Sequence, residues 1–149
     1  MEVRPAKQSE IFQLIPLIKQ HYDSTGFPQE LGFDGLLTFQ FLYAMAENDQ
    51  SLLLVLSDND YLVGVLGMQM ADTFFTDERA ARELFLYIAP EYRGRSHAFE
   101  MINKAEAWAK SKLATAMIIG NHPLSPPYVG ALYERHGYRQ AQTDYIRKL

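Results

Sequence analysis

Hydrophobic and polar positions change their period several times along this chain, and each change predicts an element. Residues 2 to 6 read as a short first strand. From Ser9, a good N-cap, Ile11, Phe12, Ile15, Ile18 and Tyr22 recur at helical steps. Pro16 inside that pattern predicts a kink or a split, because it removes a backbone donor and crowds the preceding turn. The segment DSTGFPQELGFDG is turn-rich yet carries two phenylalanines, and LLTFQFLYAMAEN after it reads as a second helix capped by Asp34. SLLLVLSDNDYLVGVLGMQM is two apolar runs parted by the turn formers Asp58, Asn59 and Asp60, which predicts a hairpin. RELFLYIA, residues 82 to 89, is a further strand ended by Pro90.

From Ser96 the period returns to that of a helix. Ala98, Met101, Ile102, Ala105, Trp108 and Ala109 form an apolar stripe, opposite Asn103, Lys104, Glu106 and Lys110. LATAMIIG is a short strand and NHPLSPP a proline-rich turn. Pro127 suits the first turn of a helix through YVGALYERH, and Gly137 suits its left-handed stop. The tail QTDYIRKL returns to strand character. The order β-α-α-β-β-β-α-β-α-β predicts an α/β (α+β) fold, one mixed sheet with helices on both faces.

A chain of 149 residues, 48% hydrophobic and 21% charged, predicts a single domain over residues 1–149 with one core. Its net charge of -4 and pI near 5.5 argue against general attraction to nucleic acid or to an anionic membrane surface. Cysteine is absent, which excludes disulfides and thiolate metal ligands. The four histidines show no metal-binding spacing, so no metal is expected. The first residues lack a signal-peptide pattern, and no apolar run nears the ~18 residues of a membrane span. A cytoplasmic location is expected.

The stretch LFLYIAPEYRGRSHAFEMI joins a strand to a helix through Arg93, Gly94 and Arg95. The start of a helix offers unpaired N–H groups and the positive end of its dipole. Two guanidinium groups add charge-assisted donors for phosphate. Gly94 admits a close ligand, the small Ser96 and Ala98 leave the first turn open, and the Ser96 hydroxyl is a further donor. The pattern describes a phosphate or pyrophosphate cradle, or else a solvated turn. Neither G-x-x-x-x-G-K-[ST] nor G-x-G-x-x-G occurs at this joint.

These residues, with ALYERHGYRQAQTDYIRKL, resemble the GNAT family, the Gcn5-related N-acetyltransferases, over nearly the whole chain and most specifically over residues 83 to 110 and 128 to 148. A similarity to members from bacteriophage genomes is also noted. The resemblance implies a mostly antiparallel central sheet of roughly six or seven strands. It also implies acetyl-CoA as acyl donor and direct transfer to a primary amine in a ternary complex. In the family, [QR]-x-x-G-x-[GA] holds the coenzyme A pyrophosphate. Arg93, Ser96 and Ala98 take its defining positions within a segment that includes Gly94, Arg95 and His97, with serine where the family prefers glycine. The backbone of Leu86, Tyr87 and Ile88 would pair with the pantetheine amides like a neighbouring strand.

For catalysis the resemblance points to Tyr133, in LYERHGY, as the acid that protonates the leaving thiolate. A base must also take a proton from the amine. Glu83 is one candidate, although regular strand alternation puts it on the face opposite Leu84, Leu86 and Ile88, so that only a bulge or a splay would aim it at the acetyl group. His122, after the strand LATAMIIG, is the other. The acceptor would lie against the first two helices and their connection, at Tyr22, Phe27 and Phe33, where aromatic faces and carboxylates suit an ammonium group. Acceptors implied are an amine-bearing small molecule, a protein or peptide amine, or aminoacyl-tRNA, on a monomer or homodimer. The alternative is a GNAT-like module that binds acyl-CoA or a protein without chemistry.

Overall fold

The computed structural model describes every residue of the chain except Arg95. Five strands form one sheet in the order β1-β2-β3-β4-β5: β1 (Glu2–Pro5), β2 (Ser51–Asp58), β3 (Tyr61–Asp72), β4 (Arg79–Ile88) and β5 (Ala116–Ile118). The first four pair antiparallel, while β5 runs parallel to β4. Helices α1 (Ile15–Ser24), α2 (Gly35–Glu47), α3 (His97–Ser111) and α4 (Val129–Arg135) complete the mixed α/β arrangement.

Both faces of the sheet are covered, which explains why SLLLVL is continuously apolar rather than alternating. Leu54 and Leu56 of β2, with Leu66 and Met68 of β3, pack with Met101 and Ala105 of α3. Leu53, Val55 and Val65 pack on the opposite face with Leu14, Leu42 and Phe85. The hairpin turns where expected, with Asn59 at φ 55°. Asp34 caps α2 by accepting from the Leu37 N–H at 2.9 Å.

Three expectations need correction. Among the described residues the strand count is five rather than six or seven, because residues 139–149 carry neither helix nor strand. This tail passes beside the α1–α2 connection, leaving its polar backbone to solvent, and Tyr145 is 94% exposed. Second, the first helical region does divide near Pro16 as predicted, into a 3-10 turn, Gln8–Leu14, and α1, but its buried stripe and its cap differ from expectation. That change of pitch rotates the buried stripe onto Ile11, Leu14, Leu17 and His21, leaving Phe12 exposed. Ser9 is not its cap: Lys7 is, and the Lys7 N–H donates to Glu10 at 3.1 Å. Third, Pro127 lies just ahead of α4, which starts after Tyr128. Gly137 does take φ 87° at the far end.

Candidate active site

The ladder between β3 and β4 slips by one residue. Gly67 faces Phe85 but the next residue, Met68, faces Glu83, so Leu84 is the extra residue of a bulge. A bulge reverses alternation, and Glu83 therefore lies in one cavity with Leu86 and Ile88. The face predicted from straight alternation was wrong for this reason. Glycine is required at Gly67 because the Phe85 ring lies over its Cα: a Cβ there would stand 2.7 Å from Phe85 Cε1 and Cε2.

Pairing of β4 with β5 stops at Arg82 and Ile118, and beyond them the strands part. In the opening, the Gly120 N–H donates to Glu83 Oε2 at 2.7 Å. Burial nonetheless pushes the Glu83 carboxyl up to about 7, with that hydrogen bond working the other way. Tyr133 of α4 lines the same cavity. Burial raises its phenol above the usual range, and the neighbouring Glu83 charge adds to this. The end of α4 is held against α3, where His136 stacks on Phe99 with centroids 3.7 Å apart and the Tyr138 hydroxyl donates to Glu106 at 2.5 Å.

The cavity, about 370 Å³, runs between α3 and α4. Leu86, Tyr87, Ile88, Arg93, Gly94 and Ala98 line it. Along β4 past Arg82 no strand occupies the β5 side among the described residues. Gly94 takes φ 77°, a conformation that glycine adopts without strain. Arg93 folds back: its Nε donates to the Ile88 carbonyl at 2.7 Å and its guanidinium lies 5.3 Å from the Tyr87 ring centre. The Ile88 carbonyl thus anchors the arginine. Ser96 sits at the N-cap of α3 with φ -69° and makes no side-chain cap. Ser96 and His97 are outside the cavity lining, and Arg95 lies outside the described residues. His97 Nδ1 has no hydrogen-bond partner among the described residues and stands 3.7 Å from Glu100 Oε2.

A second, open groove of about 1070 Å³ lies on the side of α1 and α2. Tyr22, Phe27 and Phe33 all line it. Tyr22 is centred 6.2 Å from Phe27 and 5.8 Å from Phe33, and its hydroxyl donates to the Pro28 carbonyl at 3.0 Å. His21 and His122 line both the cavity and the groove, their rings edge to face at 5.3 Å. Burial, with His122 adding, pushes His21 down to about 4, and burial also lowers His122. Both imidazoles are therefore neutral at pH 7.

Sequence reasoning missed His21 and the tail residues Asp144, Tyr145 and Ile146, which also border the groove. The signal for His21 was its place four residues after Leu17, on the buried stripe of α1. The tail offered none, since its position depends on contacts far apart in sequence. Among the described residues no cluster of three or more His, Cys, Asp or Glu side chains could hold a metal, and no helix is long and apolar enough to cross a membrane.

Residues 16–138 match the family model described as Acetyltransferase (GNAT) family. No curated protein sequence matches the chain. Among solved structures, it is similar to a ribosomal-protein-alanine N-acetyltransferase from Brucella melitensis, at 15% identity and TM-score 0.71 over 100% of both chains. It also resembles an aminoglycoside antibiotic 6'-N-acetyltransferase from Acinetobacter haemolyticus, at 16% identity and TM-score 0.77 over 100% of this chain and 99% of that one. A transcriptional regulator from Bacillus halodurans aligns over 99% of both chains, at 12% identity and TM-score 0.80.

Proposed function

The chain belongs to the GNAT acetyltransferase family, and from that premise we propose that residues 1–149 act as one domain that transfers acetyl from acetyl-CoA to a primary amine within a ternary complex. One observation carries the reading. Glu83 and Tyr133 meet where β4 and β5 part, in a cavity that adjoins an open groove across His21 and His122. A donor on one side and an acceptor on the other meet there without a covalent enzyme intermediate.

The fit for a coenzyme A donor rests on the cavity's shape and lining. Its outer end is the start of α3, where small Ala98 leaves the turn open and the first N–H groups of the helix are suited to receive an anion. Arg93 is fixed beside it by Ile88, and its remaining nitrogens are donors for phosphate. The open edge of β4 offers main-chain groups to the amides of the pantetheine arm. The donor supplies an activated thioester; the protein's part is to orient it and to move protons.

Glu83 is the base in this scheme. A carboxyl near 7 is matched to accepting a proton from an amine at neutral pH, directly or through one water. Tyr133 stays protonated, so it can donate to the departing sulfur. His122 borders both spaces and, being neutral, is the second proton acceptor. The experiment is calorimetry with coenzyme A together with thiol release over a panel of amines. Affinity for coenzyme A with turnover that Tyr133→Phe and Glu83→Gln each lower by about a hundredfold or more supports the reading. Affinity with no turnover on any amine supports a binding module, and no affinity in folded protein overturns the assignment.

A further inference from the structure

The groove's lining has a composition that selects among amines. Tyr22, Phe27, Phe33 and Leu37 supply aromatic and aliphatic walls, and Asp34 and Asp144 supply two carboxylates. Among the described residues no lysine or arginine lines it. The cation near these rings, Lys19, lies 5.8 Å from the Tyr22 centre but is paired with Asp23 at 2.6 Å. The walls are also accessible: Phe27 is 50% and Leu37 is 64% exposed, so apolar surface there is still to be covered.

Resting on the acetyltransferase reading above, we propose that the acceptor is a primary amine borne on an aromatic or large aliphatic body with no anionic group nearby. The source is a free arylalkylamine or the amino end of a peptide with an apolar first residue; the two share this chemistry. The body lies on Tyr22, Phe27 and Phe33, and the ammonium form is drawn in by Asp34 and Asp144 before it loses its proton at the inner end. A free amino acid is disfavoured because its carboxylate would enter a groove that holds two carboxylates and no cation. An aminoglycoside carries several ammonium groups on a polar body, and two carboxylates on aromatic walls match it poorly. The volume of about 1070 Å³ leaves room for a body much larger than a methyl group.

The test measures kcat/KM by thiol release on the intact protein for phenethylamine, ethylamine, phenylalaninamide, phenylalanine, a Phe-Gly-Gly amide and kanamycin. Phenethylamine is expected to exceed ethylamine by about tenfold or more, the value of covering one ring. Phenylalaninamide is expected to exceed phenylalanine by about tenfold, from the removed charge. The peptide amide against phenethylamine tells which source is used. Asp34→Asn, which keeps the cap on α2, should lower kcat/KM for phenethylamine severalfold while coenzyme A affinity stays unchanged. Preference for phenylalanine, ethylamine or kanamycin overturns the proposal and leaves acetyl transfer intact. Coenzyme A affinity with no turnover of any of the six also overturns it, and loss of both affinity and turnover overturns the acetyltransferase reading with it.

Discussion

The cavity between α3 and α4 and the open groove beside α1 and α2 meet at His21 and His122 but are made in different ways. The cavity takes its frame from regular elements, a bulged strand, the start of a fifteen-residue helix and the parting of two parallel strands, closed on one side by the segment between β5 and α4. Its chemistry comes from backbone position and from burial, which moves Glu83 to about 7. The groove is built largely from the α1–α2 connection and the tail, with its chemistry in side chains: Phe27, Phe33, Asp34 and Asp144. Main-chain geometry survives extensive sequence change, whereas loop side chains do not. This accords with solved structures of 12 to 16% identity that share the fold at TM-scores from 0.71 to 0.80.

The sharpest way to break this contrast is Glu83→Gln. It should lower kcat by about a hundred- to ten-thousandfold and remove the rise in rate expected of wild type as pH climbs through about 7, with coenzyme A affinity held. The same variant reports on stability. Burial raises the folded-state value above 4.5, so the neutral carboxyl stabilises the fold at low pH, and this contribution is lost as pH rises toward about 7. Denaturant unfolding at pH 5 and pH 8 should therefore show Glu83→Gln gaining on wild type at the higher pH. Tyr133→Phe should lower kcat by about a hundredfold, measured at saturating donor, and leave the acceptor KM unchanged.

Gly67→Ala attacks the bulge itself. The added methyl meets the Phe85 ring, so unfolding should cost about 1–3 kcal/mol less, and turnover should fall with it because Glu83 depends on that register. On the groove side, Phe33→Ala should reduce kcat/KM for an apolar amine by about tenfold without changing coenzyme A affinity. Smallest is Asp34, where alanine should cost about 1 kcal/mol through the lost cap and asparagine almost nothing, read by thermal unfolding. If Gly67→Ala left the cavity chemistry intact, or Phe33→Ala altered donor affinity, the division between the two regions would fail.

Much of the scaffold was legible in local patterns. The stripe of Met101, Ile102, Ala105 and Ala109 on α3 is buried as its spacing predicts, because a helix must place those positions on one face. Tyr22, Phe27 and Phe33 were identified together and do line one groove. Alternation failed at Glu83, since one extra residue reverses the phase, and in a strand buried on both faces that reversal is revealed only by the partner strand. The stripe of the first helical region failed at the change from 3-10 to α pitch, which moved Phe12 outward and His21 inward.

Periodicity, capping residues and turn formers, which act within a few residues, were enough to determine the order of the helices and of β1 to β5 and the strand-to-helix joint at Arg93 and Gly94, though not the loss of strand character in the tail. Tertiary structure alone decided the bulge at Leu84, the meeting of Glu83 with Tyr133, the pairing of His21 with His122 and the path of the tail along the groove. Each of these joins residues well separated along the chain, from Met68 with Glu83 to His21 with His122, and such contacts are set by packing across the sheet, for which a local stretch of sequence has no period.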